Sequence, residues 1–493
     1  MRNRSALGLL LMVGWAGAIV LRGSFVPVAS AGETLLGGAL LTASVRARPA
    51  RTPAEAAALG GLDMHFPSQL DTFHFFNIEP IDTNLRLRWF DANGGVPVLE
   101  QNVLVPARDL IVFPLPAQLG PGFNGSLLAS SDQAVVRGVV NRLLDGTADS
   151  RFAAIPTSDL PLTVSNIGHP VFGNTGFLIQ NAAAQNLTVR TFISDLTGAQ
   201  PATFKSSTLG EGEIVIVKPN QVPGASGLRP ERAHWSRSPF GPRAATWTPV
   251  PNRGTGDTGD WIASGGFQDG RSAVCAPVPG GGSDAVASVV DWWVLNVGAG
   301  LEEVITRIWN DSGQLEGQQT DSTPAGGMSM VSTAFLTDGP GMLCSETTSG
   351  NATLLAVTHF GSAPGNRSRV DPASGGWRAI GTDDAITKLG YAFGAPSTKN
   401  SKVAVVLHNV GDKKAKVKVV AYRAGSINRR GKKLFSRTVR IDPNATATVP
   451  YVKRARGDDL YAEIRVRGKG QVLAWLQRTF DIDVDYYPAA KVK

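Results

Sequence analysis

Four groups of residues have the types and spacing for chemistry. The first is cationic. Between Lys399 and Lys493 there are 22 Lys and Arg against 8 Asp and Glu, a net of +14 in a chain whose net charge is +8. Lys413, Lys414, Lys416, Lys418, Arg429, Arg430, Lys432, Lys433, Lys453, Arg454 and Arg456 make up most of it. Such a patch attracts polyanions, and its pull weakens as salt rises; a solvated, solubilising face is the plain alternative. The second group is Asp481, Asp483 and Asp485 in FDIDVDYYP. On a strand these alternate residues share one face, where three carboxylates could hold Ca²⁺. Ion pairing with Arg465, Arg467 and Lys469, which alternate on a neighbouring strand, is the simpler expectation.

The third group is Trp235 and Trp247, inside the Pro-, Gly- and Arg-rich stretch 219–259. Exposed Trp stacks on sugars, whereas Trp buried between domains reads the same in sequence. The fourth is Cys275 and Cys344, which are the only two cysteines. In an oxidising compartment they have a single intramolecular pairing, and two buried free thiols are the alternative. A bridge would close a loop of about 70 residues, worth roughly 4 kcal/mol in the chain-entropy picture. Two cysteines are too few for a disulfide-dense scaffold or a Cys-rich metal site.

The motifs that are missing weigh against catalysis. His65, His74, His169, His234, His359 and His408 form no H-x-H or H-E-x-x-H pair. There is no G-x-S-x-G elbow, P-loop or S-x-x-K motif, and Gly280-Gly281-Gly282 lacks the Lys and helix of a phosphate cradle. The expectation is a protein that is not an enzyme and needs no cofactor. Nucleic acid is not an expected partner, because no aromatic side chains interleave the basic run. Asn-x-Ser/Thr triplets at Asn124, Asn186, Asn310, Asn351, Asn366 and Asn444 read as turn chemistry.

These groups must sit on a repeated framework. An apolar strand runs into Asn, a polar turn follows, and then an alternating strand ends at a turn Gly. The pattern occurs as FHFFN77 to Gly94, FLIQN181 to Gly198, DWWVLN296 to Gly313 and VAVVLHN409 to Gly425. Period-2 alternation places one face on a core and the other outward. A hinge and strand follow each time, as in VPARDLIVFPL, LGEGEIVIV, TPAGGMSMVSTAFL and DPNATATVPYV, and then a closing hairpin. In the second repeat that hairpin is expected at WIASGGFQDGRSAVCAPV, leaving 219–259 as an insertion. Cys275 could close the second repeat or open the third. The repeated Asn is expected to bond its own turn. Adjacent Trp292 and Trp293 must face opposite sides. The N-terminus reads as an export signal: MRNR, an apolar run from Ala6 to Leu21, and Ala29-Ser30-Ala31. Cleavage after Ala31 and a retained anchor both fit, and only a retained segment would touch a membrane.

The strand–Asn–strand–Gly layout, the Pro/Gly hinge and the closing hairpin resemble bacterial extracellular Ig-like sandwich repeats, including the cell-adhesion-related type. The resemblance covers most of residues 70–490 and implies stacked domains on a cell surface or in an envelope. It carries over no catalytic residues. The expected fold is all-β: four tandem Ig-like antiparallel β-sandwich modules after the signal segment. The expected boundaries are a signal at 1–31, a flexible lead-in at 32–68, and sandwiches at 69–150, 151–270 (with the insertion), 271–370 and 371–493. The expected function is an exported, extracellular, surface or periplasmic structural or adhesive protein, its basic C-terminal module contacting anionic envelope polymer or other surface proteins. The other expectation is a carbohydrate-binding or glycoside-hydrolysing protein using 219–259.

Overall fold

The computed structural model describes residues 44–45, 57–61, 70–114, 116–120, 123, 125–131, 136–143, 151–153, 166–172, 177–181, 186–194, 205–217, 221–222, 231–237, 244–251, 258–263, 270–278, 288–333, 341–362, 375–394, 402–424, 431–451, 460–480 and 483–492. All fall in one compact unit, Leu35–Lys493. The fold is all-β, with antiparallel sheets. Ala117–Leu119 and Thr382–Asp384 turn as short 3₁₀ segments. The expected signal, 1–31, lies outside the described residues.

Apart from the two-residue strands Ser44–Val45, Ile380–Gly381 and Ala490–Lys491, the described strands group into four sets of eight. Set 1 comprises Ala57–Gly61, Leu70–Asn77, Thr83–Asp91, Leu99–Val105, Leu110–Pro114, Gly125–Ser131, Val136–Leu143 and Arg151–Ala153. Set 2 comprises Asn166–Phe172, Phe177–Asn181, Leu187–Ser194, Lys205–Leu209, Ile214–Val217, Glu231–Arg237, Ala244–Pro251 and Thr258–Ala263. Set 3 comprises Ala273–Val278, Ser288–Asn296, Glu302–Trp309, Leu315–Thr323, Met328–Thr333, Gly341–Thr347, Leu354–Ser362 and Gly375–Arg378. Set 4 comprises Leu389–Phe393, Lys402–Asn409, Ala415–Arg423, Lys433–Ile441, Thr446–Pro450, Leu460–Arg467, Val472–Phe480 and Asp483–Pro488.

In every set one sheet has the order fourth, third, sixth, first, and the other has fifth, second, seventh, eighth. The arrangement is β-sandwich-like. In set 4, Val403, Val405 and Leu407 of the second strand share a core with Val417 and Val419 of the third. In set 1, Phe73 meets Trp89 edge-on across the sheets, with ring centroids 4.9 Å apart. An immunoglobulin constant domain pairs its first strand with its second and its seventh with its sixth. Here the first pairs with the sixth and the seventh with the second. The second–fifth and third–sixth pairings of that domain do occur here.

Two expectations are corrected. The stretch 32–68 contains the strand Ala57–Gly61, which pairs with Gly125–Ser131 and so belongs to a sheet. The stretch 219–259 is not an insertion, because Glu231–Arg237 and Ala244–Pro251 are the sixth and seventh strands of set 2. Trp261, expected in the closing hairpin, lies instead on the eighth strand.

The repeated Asn explains why the sets share a sequence signature. Asn77, Asn181, Asn296 and Asn409 are all fully buried at the end of the second strand. Their Nδ2 groups donate to the carbonyl that ends the fourth strand: Val105 at 3.2 Å, Leu209 at 3.0 Å, Thr323 at 2.8 Å and Ile441 at 3.0 Å. In sets 1, 3 and 4 the same Nδ2 also donates to the carbonyl four residues on, and Oδ1 accepts the backbone N–H two residues on. One side chain thus ties two turns together and leaves its polar atoms satisfied. The turn before each fifth strand also repeats. Arg108, Gly212, Gly326 and Asn444 occupy equivalent positions with φ of 53°, 72°, 71° and 59°. Gly and Asn tolerate this left-handed backbone; Arg does so at a cost.

The sets meet through one recurring contact. The turn after the third strand of one set docks on the turn before the fifth strand of the next. From set 1 to set 2, Ile214 N–H donates to Ala92 O at 3.1 Å and Gly95 N–H to Glu211 O at 2.7 Å. From set 3 to set 4, Thr446 N–H donates to Asp311 O at 2.9 Å. A Cβ on Gly94 would lie 2.4 Å from Glu211 O, and one on Gly313 would lie 2.7 Å from Pro443 O. The contact also runs from set 4 back to set 1, where Gly431 N–H donates to Asp109 Oδ2 at 2.8 Å. Phe76 of set 1 packs among Tyr391, Phe393 and Tyr461 of set 4, with centroids 4.7–5.2 Å away. Val406, Leu473 and Trp475 of set 4 likewise join the core cluster of set 3. The second strands of sets 1, 3 and 4 are therefore buried on both faces, as Phe75 with Phe76, Trp292 with Trp293, and Val405 with Val406 show.

Candidate site: a cationic sheet face in set 4

The third strand of set 4 reads AKVKVVAYR. Val417 and Val419 face the core, so Lys416 and Lys418 face out. The flanking strands bring more cations to the same face. Lys416 lies opposite Arg440 on one side and Arg467 on the other. Lys418 lies opposite Thr438 and Arg465. Lys416, Arg440, Arg465 and Arg467 are exposed and Lys418 is half-buried. Residues directly opposite have Cβ atoms about 4.5–5.5 Å apart, and neighbours on one strand face repeat every ~6.6 Å.

Only one carboxylate among the described residues of this face meets a cation: Glu463 accepts from Arg465 Nε. That bond, opposed by desolvation, raises the Arg465 pKa. Lys416, Lys418, Arg440 and Arg467 have no carboxylate partner among the described residues. The other half of the face is aromatic. Tyr422 stacks on Tyr461 at 5.0 Å, and Tyr461 and Tyr391 are buried against Phe76. Burial pushes the Tyr391 hydroxyl up to about 12 and raises that of Tyr461. The aromatic half closes on set 1, and the cationic half stays open.

Equivalent faces elsewhere carry compensated charge. In set 1, Arg86 makes two 2.8 Å bonds to Glu100, and Arg88 pairs with Glu211 at 2.6 Å. In set 3, Arg307 bonds Glu346, and Glu303 holds the position of Lys416.

The expected basic residues divide four ways. Lys416 and Lys418 join the face. Lys413 and Lys414 occupy the turn before it, where Lys414 pairs with Asp442 at 2.9 Å. Lys432 and Lys433 lie at the far end of the fourth strand, Lys433 opposite Tyr422. Arg429, Arg430, Lys453, Arg454 and Arg456 lie outside the described residues. The sequence reading missed Arg440, and it assigned Arg465 and Arg467 to the wrong partners. Their strand pairs with Ala415–Arg423 and Leu389–Phe393, whereas Asp483–Pro488 pairs with Val472–Phe480 in the other sheet. Pairing between Arg465 or Arg467 and the Asp483–Asp485 strand is thereby corrected. Asp481 lies outside the described residues, and among those described no group of three His, Cys, Asp or Glu is placed to hold a metal.

Trp235 lies opposite Gly168 and Phe192, and Trp247 opposite Leu178 and Ala263. They belong to different sheets rather than to one loop. Cys275 and Cys344 form a disulfide, directly opposite one another with Cα atoms 4.1 Å apart. Cys275 thus opens set 3. His408 is buried beside Thr446, Nδ1 to Oγ1 at 3.1 Å, and burial lowers its pKa to about 3. Of the Asn-x-Ser/Thr triplets, Asn310 does make a side-chain turn bond, its Oδ1 accepting from Gln314 N–H at 2.9 Å, whereas the Asn351 side chain donates to Glu302 Oε1 at 3.0 Å. No protein-family model matches the chain, and no curated protein is similar to it.

Proposed function

We propose that the protein is an exported, non-enzymatic structural or adhesive component of the cell envelope. Tandem β-sandwiches form its body, and the basic fourth one contacts anionic surface polymer. The observation that carries this reading is the cationic face of set 4, which lacks the carboxylate partners that sets 1 and 3 carry at equivalent places. The basic n-region, apolar run and Ala29-Ser30-Ala31 support export. The repeated turn staple supports a load-sharing framework of like units, since its invariant residue serves the fold and leaves the faces to vary.

Fractionation of native cells tests this reading. The expected result is recovery with the envelope fraction and release by raised salt. Recovery in the cytosol, or envelope association unmoved by salt, would overturn it.

A further inference from the structure

Resting on that reading, we infer that the ligand is a linear polyanion, gripped by Lys416, Lys418, Arg440 and Arg467 on the open half of the set 4 face. Arg440, Lys416 and Arg467 stand in one row across three adjacent strands. Like charges directly opposite one another cost the sheet stability, so their compensation comes from outside the chain. The row spans about 10 Å, two inter-strand spacings, with Lys418 one step along the strand. A small anion can reach only two such cations at once, whereas a polymer laid across the strands meets all four.

The surroundings narrow the partner further. The neutral residues beside the row are Thr438 and Ser436, both exposed, and Leu389, half-buried opposite Arg465. Leu389 packs against the core, and among the described residues the face offers no exposed apolar side chain there to insert into a bilayer. Of its aromatic residues, Tyr391 and Tyr461 are buried against Phe76, and half-buried Tyr422 already stacks on Tyr461 rather than on a base. Recognition therefore runs through charge and spacing alone.

The full chain, titrated with long-chain polyphosphate over a range of salt, tests the site. Four contacts give an expected slope of log K against log salt of roughly −3. The double variant Lys416→Thr/Arg467→Thr should bind about tenfold more weakly and lose about 1.5 of that slope. Lys413→Thr/Lys414→Thr, in the adjoining turn, should bind as wild type. If the first variant does not fold, Arg440→Thr on the exposed fourth strand replaces it, with a loss of about 0.7 in slope. Wild type failing to bind overturns the underlying reading and this inference together. Wild type binding, with face and turn variants equally affected or equally unaffected, overturns the site alone. Equal affinity for inorganic phosphate overturns the polymer, and tighter binding to phosphatidylglycerol vesicles than to polyphosphate overturns it in favour of a membrane.

Discussion

Sets 1 and 4 share strand order, buried Asn and turn geometry, yet their outer faces are charged in opposite styles. In set 1 each arginine on the third strand has a glutamate, Arg86 with Glu100 and Arg88 with Glu211. Arg88 and Glu211 are largely buried where set 1 meets set 2, so that charge serves the joint. In set 4 the same face carries Arg440, Lys416 and Arg467 in one row across three strands, and its one glutamate, Glu463, bonds Arg465 beside that row. The same sheet face thus joins two sets in one case and stays open in the other. Charge at the joint arrives with its partner; the open row of set 4 has none among the described residues.

The strongest way to break the comparison is to remove the feature both sets share. Asn77→Ala and Asn409→Ala each delete three hydrogen bonds and strand buried carbonyls at Val105 or Ile441. Each should cost about 3 kcal/mol in denaturant unfolding. A large loss in one set and none in the other would show that the two turns are not equivalent.

The next test gives set 4 the partner it lacks. Thr438→Glu places a carboxylate opposite Lys418, in the manner of Glu100. Polyphosphate affinity should fall about tenfold, while the melting temperature holds or rises slightly from the new cross-strand pair. Undiminished affinity would mean that the face does not bind.

A third change sharpens the comparison at the turns. Arg108 holds a left-handed φ where set 4 has Asn444. Arg108→Gly should stabilise the chain by about 1 kcal/mol if its side chain adds nothing. Destabilisation would reveal that the guanidinium supports the joint with set 4.

The smallest effect concerns Glu100→Gln, which should cost at most about 0.5 kcal/mol because the pair is exposed. The hydrogen bond from Arg86 holds the Glu100 carboxyl below its ordinary value. Its contribution is therefore present above the unfolded pKa of about 4.3 and lost as pH falls through the depressed folded value. The difference between wild type and variant should vanish at low pH; a difference that persists would place its origin elsewhere.

Much of this framework was legible in the sequence. Alternation around Val417 and Val419, the four Asn residues and the Cys275–Cys344 pair all follow from local rules. The turn glycines were legible as well, but not their reason: Gly94 and Gly313 are needed because the next set's backbone presses on them. The seventh strand of set 2 was missed because Pro249 and Pro251 spoil its pattern. Both lie beyond Trp247, the last residue paired with Phe177–Asn181, where the strand has a partner on one side only. The partners of Arg465 and Arg467 were missed because the sixth and seventh strands, consecutive in sequence, lie in opposite sheets, and the eighth follows the seventh. No local pattern announces that Phe76 meets residues more than 300 positions later.

That last contact has a consequence for the order in which the chain matures. Asp109 and Gly431 are 322 residues apart. At about 5–20 residues per second of synthesis, the apolar face around Phe76 waits roughly 15–60 s for its cover. Through that interval the oldest sandwich of each nascent chain presents a greasy surface to its surroundings. Until the last one arrives, any neighbouring copy that has already made its fourth set offers a fitting but wrong mate.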